Sequence, residues 1–250
     1  MITIDWVGRL GNRMIQYAGG YILSKYSCIS LIPSKPDYSQ MAHTYSNFDD
    51  YFDTLRAPTT TVPFPLTEGD RTIGIDDNWV RSHYKHLSQI PPAHYNIVES
   101  MQCPEFLNHY FDEIKSVYIP KKPLERKEGV LVHCRLGDIP VERSAPLSYY
   151  RNAFERLGKK GGWLITDPMS RDHDLIKTLI NEYDLQLYMA SPVEQLNFSR
   201  GFDSLILCTG TFGWWMGAFN PGSEVLYYDI PREYAWHSPI FKVSNWKAVA

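Results

Sequence analysis

The feature that most constrains this chain is an alternation of short apolar runs and helical periodicities that starts at Val130 and ends at Tyr228. Val130–Cys134 reads as a buried strand. Leu147–Leu157 then sets Leu147, Tyr150, Phe154 and Leu157 at helical spacing and stops at Gly158. Residues 163–165 return to strand character, and 172–183 place Leu175, Ile176, Leu179, Ile180 and Tyr183 on one helical face. After a third apolar run at 185–190, Ser191-Pro192-Val193-Glu194 spells a helix start, with an N-cap serine, a proline at the first helical position and a glutamate at the capping-box position. Strand 204–208, helix 212–219 and strand Glu224–Tyr228 complete the series. Strands separated by helices pair in parallel, so residues 128–250 are expected to form an α/β lobe: a five-stranded parallel sheet with helices on both faces.

The beginning of the chain repeats the pattern once. Residues 2–6 read as a strand, Gly8-Arg9-Leu10-Gly11-Asn12 as a turn, and 13–26 as a helix burying Met14, Ile15, Ala18 and Ile22, followed by a short run at 29–32. Residues 33–95 are rich in Pro, Thr, Tyr, His and Asp, and read as loops and small elements around runs such as Thr72–Ile75. The basic, proline-containing stretch 120–128 (PKKPLERKE) breaks both periodicities and reads as a linker. The architecture expected is therefore two Rossmann-like α/β lobes, 1–122 and 128–250.

Composition removes several classes of function. With 25 Lys+Arg against 28 Asp+Glu the net charge is −3, and no basic cluster stands out, so nucleic acid is not an expected partner. No apolar run approaches the roughly 18 residues of a membrane helix. The opening MITIDWVGRLGNRM has no basic region leading into an apolar one, and the expectation is a soluble, cytoplasmic protein. Cys28, Cys103, Cys134 and Cys208 stand singly with no C-x-x-C pair, which favours reduced buried thiols over disulfides or zinc. Aromatic residues make up 14%, a share that packed cores, sugar rings and bases all suit.

Three constellations can carry chemistry. Gly8, Gly11 and Asn12 lie between a strand and a helix, where glycines bring backbone amides toward a polar ligand, and Arg9 and Arg13 add charge. An ordinary βα turn uses the same residues, and the spacing is not the G-x-G-x-x-G of dinucleotide binders, so a Rossmann dehydrogenase or methyltransferase is disfavoured. In Val130-Leu-Val-His133-Cys134-Arg135-Leu-Gly137-Asp138, strand alternation puts His133 and Arg135 on one face and Cys134 with Val132 on the other, which argues against a Cys–His nucleophile pair. A guanidinium at a strand's carboxyl end can clamp phosphate oxygens; it can equally pair with Asp138 while His133 sits in the core. In Gly210-Thr211-Phe212-Gly213-Trp214-Trp215, Thr211 can cap the next helix, whose first amides form an anion site. At least one of the adjacent tryptophans is expected in the core, and either could be half of a sugar platform. The D-x-D spelling at Asp172-His173-Asp174 falls at a helix start, where Asp is expected for capping, and His83, His86 and His94 lack ligand spacing and read as surface residues.

Taken in order, these segments resemble the alpha-1,2-fucosyltransferase family and its wider superfamily, which includes the core and peptide-O fucosyltransferases. Gly8-Arg-Leu-Gly11-Asn12-Arg13-Met14-Ile15-Gln16-Tyr17-Ala18 is similar to the family's GGLGNQMFQYA, His133-Cys-Arg135-Leu-Gly137-Asp138 to HxRxGD, and Thr211-Phe-Gly-Trp214-Trp215-Met-Gly217-Ala218 to SxFSWWGA; Thr166-Asp167 also follows a strand. The departures are Arg13 for Gln, Leu136 for a second Arg, Gly213 for Ser and Met216 after the tryptophan pair. The resemblance implies a two-lobed GT-B transferase that moves L-fucose from GDP-fucose to a glycan hydroxyl with inversion, without a divalent metal or other cofactor. Its partners would be a nucleotide-sugar donor, GDP-fucose or another GDP- or UDP-sugar, and a glycan acceptor. It also implies that Arg135 contacts the diphosphate with His133 beside it, that Asp167 lies near the base, and that Thr211, Phe212 and Gly213 hold phosphate. Gly8, Gly11 and Asn12 would serve the donor from the first lobe. Asp138 is a candidate base for the acceptor hydroxyl or a turn-stabilising residue. A non-catalytic glycan-binding protein is the alternative of a different class.

Overall fold

The computed structural model describes residues 1–32, 47–58, 72–220, 223–231, 240, 241, 243 and 245–249. The chain divides into two units, Met1–Lys121 and Lys122–Ala250. Much of the loop-rich stretch expected at 33–95 lies outside the described residues, at 33–46 and 59–71.

The first unit comprises β1 (Ile2–Ile4), α1 (Leu10–Ser27), α2 (Phe48–Tyr51), β2 (Phe52–Thr54), β3 (Thr72–Ile75), α3 (Asp77–His83), β4 (His94–Ile97), α4 (Pro104–His109), α5 (Phe111–Ser116) and β5 (Tyr118–Pro120). Its parallel sheet runs β1-β4-β3, and Ile2 on the outer side of β1 bridges in parallel to Leu31. β2 and β5 form a separate antiparallel pair. Helix α1 starts three residues before the expected boundary. The Arg13 amide already bonds the Arg9 carbonyl at 3.1 Å, so Gly11 and Asn12 are helical rather than part of a turn. Met14, Ile15, Ala18 and Ile22 are fully buried, as their spacing predicts.

The second unit contains β6 (Val130–Cys134), α6 (Leu147–Leu157), β7 (Gly162–Thr166), α7 (Asp174–Tyr183), β8 (Leu185–Leu187), α8 (Pro192–Ser199), β9 (Ser204–Leu207), α9 (Thr211–Ala218), β10 (Glu224–Tyr228) and β11 (Lys247–Val249). Every neighbour pair in its sheet is parallel, in the order β11-β10-β9-β6-β7-β8. The sheet therefore has six strands, not five. The sixth, Lys-Ala-Val, is too short and too polar to announce itself; it is a strand because Leu226, Tyr227 and Tyr228 pair with it. The capping box at Ser191 and Glu194 forms as its spelling predicts. Residues 122–127 are bonded to this unit, through Arg200 Nη1 to the Lys122 carbonyl at 3.1 Å and the Lys127 amide to the Gly201 carbonyl at 2.9 Å.

Strand alternation sends Val130, Val132 and Cys134 into a core with Tyr149, Tyr150 and Phe154 of α6 and Ile176 and Leu179 of α7. On the opposite face α9 packs against β9 and α8. Trp214 and Trp215 of α9 are both completely buried, edge-to-face at 5.0 Å, with Trp215 stacked on Phe219. Neither is a sugar platform, which corrects that expectation. An eight-residue helix flanked by a sheet and by Trp246 buries both sides, and each indole contributes on the order of 4 kcal/mol of apolar burial.

Candidate functional site

The strand order of the second unit fixes where a ligand can sit. From β6 the chain steps out to β7 and β8, then returns to the other flank of β6 as β9 and continues to β10 and β11. The segments that follow β6 and β9 thus diverge, and in open parallel sheets the crevice at that point, beyond the carboxyl ends of the strands, is where ligands bind. Here those segments carry Arg135 to Asp138 and Cys208 to Gly213.

Arg135 donates from Nε to Asp138 Oδ1 at 2.8 Å and from Nη2 to Asp138 Oδ2 at 2.5 Å. Burial works against the guanidinium charge, but the Asp138 carboxylate outweighs it and holds the Arg135 pKa above its ordinary value. The third nitrogen, Nη1, lies over Gly210, where a Cβ would approach it to 2.6 Å. Gly210 has φ +106°, a conformation that side-chain-bearing residues rarely adopt, so glycine is required there both for the backbone and for the arginine. Gly210 is the N-cap of α9, and Thr211 is its first helical residue instead of the cap that the sequence suggests. The first bond of the helix runs from the Trp214 amide to the Gly210 carbonyl at 3.2 Å, so the amides of Thr211, Phe212 and Gly213 lie ahead of it, at the positive end of the helix dipole.

His133 lies behind this turn, 5% exposed, with its ring 5.7 Å from that of Phe212. Burial, and then the Arg135 charge, push its pKa down to about 3, so the imidazole is neutral at physiological pH. Its Nδ1 is 3.3 Å from Cys208 Sγ, and a Cβ on Gly213 would crowd the same nitrogen at 2.9 Å. Asp167, at the end of β7, accepts from the Ser170 hydroxyl at 2.7 Å and from the Gly137 and Leu136 amides at 3.2 and 3.4 Å, all through Oδ2. Burial would raise its pKa, but these donors prevail and hold it below the usual carboxylate value. Its placement ties it to the loop that presents Arg135 and Asp138. The second unit thus brings Arg135 and His133 against residues 210–213, which include Thr211 and Phe212, while Asp138 and Asp167 hold the loop that presents Arg135.

Gly8, Gly11 and Asn12 belong to the first unit. Gly8 has φ +68° and lies under the Asn12 side chain, which accepts from Gln102 Nε2 at 3.4 Å. Arg13 is buried, with Nε donating to the Gly8 carbonyl at 3.4 Å and its guanidinium 6.0 Å over the Trp6 ring. Gln16, fully buried, holds the segments after β1 and β4 together: Oε1 accepts from the Val7 amide at 3.0 Å, and Nε2 donates to the Asp5 and Glu99 carbonyls at 2.8 and 3.0 Å. In the sequence Gln16 stands only within a motif, and Cys208 only as an isolated thiol. The Gln16 bond to the Glu99 carbonyl and the Cys208 contact with His133 join residues 83 and 75 positions apart, which leaves no local spelling.

At the D-x-D spelling, His173 caps α7 by accepting from the Leu175 amide at 3.1 Å, and Asp174 is the first helical residue. His94 is not simply a surface residue: its ring bonds Thr3 and Thr72 across the first sheet, at 3.1 Å each. Among the described residues no three His, Cys, Asp or Glu side chains gather as a metal site, and no helix is long and apolar enough to cross a membrane.

No known protein family matches the sequence, and no curated protein matches it. Among solved structures the chain is similar to POFUT1 in complex with GDP, at 12% identity and TM-score 0.46 over 99% of this chain and 96% of that one. It is also similar to POFUT1 in complex with GDP-fucose, at 12% identity and TM-score 0.47 over the same shares.

Proposed function

We propose that this chain is an inverting glycosyltransferase of the GT-B type that transfers L-fucose from GDP-fucose to a hydroxyl of a glycan acceptor, without a divalent metal. The observation that carries the reading is Arg135, oriented by Asp138 over Gly210 at the amino end of α9, at the switch point of the six-stranded sheet. When the acceptor oxygen attacks the anomeric carbon, its hydroxyl proton passes to water or to the leaving diphosphate, and the bond from that carbon to the diphosphate oxygen breaks with its electron pair leaving on the nucleotide. The negative charge that grows on the diphosphate needs fixed donors. Arg135 and the first amides of α9 supply them, which is the task a metal ion performs in other transferases. His133, being neutral, can offer one hydrogen bond without adding charge. Asp138 holds the guanidinium and Asp167 holds the loop. Gly8, Gly11 and Asn12 enter this reading through the sequence resemblance alone.

The test is a panel of GDP- and UDP-sugars incubated with the purified protein and glycan acceptors in the presence of a chelator, with released nucleoside diphosphate as the readout. GDP release from GDP-fucose is expected, and Arg135→Ala is expected to remove it. Release from a UDP-sugar alone would move the donor while keeping the reaction class. Absence of release from every donor, or full activity in Arg135→Ala, defeats the proposal. For the glycan-binding alternative, the Trp214 and Trp215 rings are buried and offer no face to a sugar.

A further inference from the structure

A neutral imidazole carries one proton, and the partner of one ring nitrogen decides which nitrogen holds it. For His133 that partner is a thiol. Cys208 Sγ is 3.3 Å from Nδ1, and the Cys208 amide donates to the His133 carbonyl at 3.1 Å, so the two residues are fixed to each other through side chain and backbone. Gly213 closes the same side of the ring, where a single added carbon would sit 2.9 Å from Nδ1. Sγ also reaches the Thr209 carbonyl at 3.6 Å and the Arg135 backbone amide. The imidazole is nearer than the carbonyl.

We propose that Cys208 is a positioning residue: its S–H donates to His133 Nδ1, which fixes the ring as the Nε2–H tautomer and makes His133 a hydrogen-bond donor toward an oxygen of a bound diphosphate. The inference rests on the transferase reading for its ligand, but its geometry does not. Burial pushes the Cys208 thiol well above its ordinary pKa, so it keeps its proton, and the His133 ring has none to spare for Nδ1 once Nε2 holds it. The opposite arrangement, with Nδ1–H donating to sulfur and S–H turned to the Thr209 carbonyl, would present a lone pair at Nε2. A lone pair facing a phosphate oxygen repels it. The two arrangements therefore differ in whether the site accepts an anion.

Ring ¹⁵N chemical shifts of His133 in the full chain separate them. The wild type is expected to show the Nε2–H form, Cys208→Ser to keep it because a hydroxyl also donates, and Cys208→Ala to show a mixture. GDP and inorganic pyrophosphate should bind on the order of tenfold more weakly to Cys208→Ala, the loss of one hydrogen bond to a charged group, with affinity largely restored in Cys208→Ser. An Nδ1–H wild type, or a Cys208→Ala ring with unchanged tautomer, overturns the inference. So does a changed tautomer with unchanged diphosphate affinity. A wild type that binds neither GDP nor pyrophosphate defeats the transferase reading instead, and the ring shifts still decide what Cys208 does.

Discussion

In each unit one polar side chain sits where segments that follow two adjacent parallel strands come together, and the two side chains do so in opposite ways. Between β1 and β4 the occupant is Gln16, an amide whose oxygen and nitrogen are all taken by backbone groups of the adjoining segments. Between β6 and β9 it is Arg135, whose partner is a carboxylate at the rim, with a helix amino end and a neutral histidine alongside. An uncharged side chain that satisfies backbone polarity closes its crevice and stabilises the fold. A guanidinium whose Nε and Nη2 are held by a partly exposed carboxylate keeps Nη1 directed over the Gly210 turn, where an anion can accept from it. Adjacent parallel strands supply the junction in both cases, and one side chain decides how its polarity is met.

Exchanging those side chains is the strongest way to break the contrast. Arg135→Ala is expected to lower turnover of the nucleotide sugar on the order of 1,000-fold, as loss of a fixed donor to a growing oxyanion does. Its effect on unfolding should stay below about 1 kcal/mol, because the ion pair it removes is partly exposed. Urea unfolding and nucleoside diphosphate release measure the two sides. Gln16→Leu should show the reverse character: it strands the Val7 amide and the Asp5 and Glu99 carbonyls, at a cost on the order of 3 kcal/mol in urea unfolding. A cost under 1 kcal/mol would mean that Gln16 is not what closes the first crevice.

That contrast was only half legible in the sequence. The second unit announced its helices and five of its strands because amphipathic faces of ten or so residues and the Ser191 capping box are local signals. β11 was silent, since three residues with exposed Lys247 and Ala248 become a strand only through β10. Arg135, Asp138 and the Gly210 turn could be named because they sit within a few residues of a strand end. Thr211 has the residue type of a cap, but Gly210 takes that position because its φ of +106° strains any side-chain-bearing residue. The His133–Cys208 contact and the Gln16 bond to the Glu99 carbonyl join residues 75 and 83 positions apart, and no spacing encodes them.

The acid side of the stability profile sharpens the comparison further. The folded pKa of His133, about 3, lies below the ordinary 6.5. Above 6.5 the ring is neutral whether folded or unfolded, so it has no effect on the pH dependence. As the pH falls below 6.5 the unfolded chain takes up a proton that the folded one refuses, and stability declines by about 1.4 kcal/mol per pH unit until the folded ring titrates. Between pH 7 and 5 the wild type should therefore lose about 2 kcal/mol more than His133→Asn, compared by urea unfolding at each pH. Equal slopes would show that His133 is not held neutral, and the site would carry two adjacent positive charges instead of one.

The smallest effect asks what Asp138 does for Arg135. Both carboxylate oxygens accept from the guanidinium, and the pair is about a quarter exposed, so solvent screening leaves it worth about 0–1 kcal/mol to folding. Its value lies in direction: with Nε and Nη2 held, Nη1 is the nitrogen that projects over Gly210. Asp138→Asn keeps one acceptor oxygen and puts an NH₂ group against a nitrogen of the arginine, so the guanidinium keeps its charge and loses its aim. Turnover is expected to fall about tenfold, within the range that misplacement of a fixed group produces, while the pH–rate profile keeps its shape. If Asp138 instead took the acceptor proton, the loss would approach the 100- to 10,000-fold typical of a missing general base, and the limb of the profile that reports that base would disappear. A variant as fast as the parent would show that Arg135 needs no orienting partner, and the bidentate pair would then be a feature of the ligand-free turn alone.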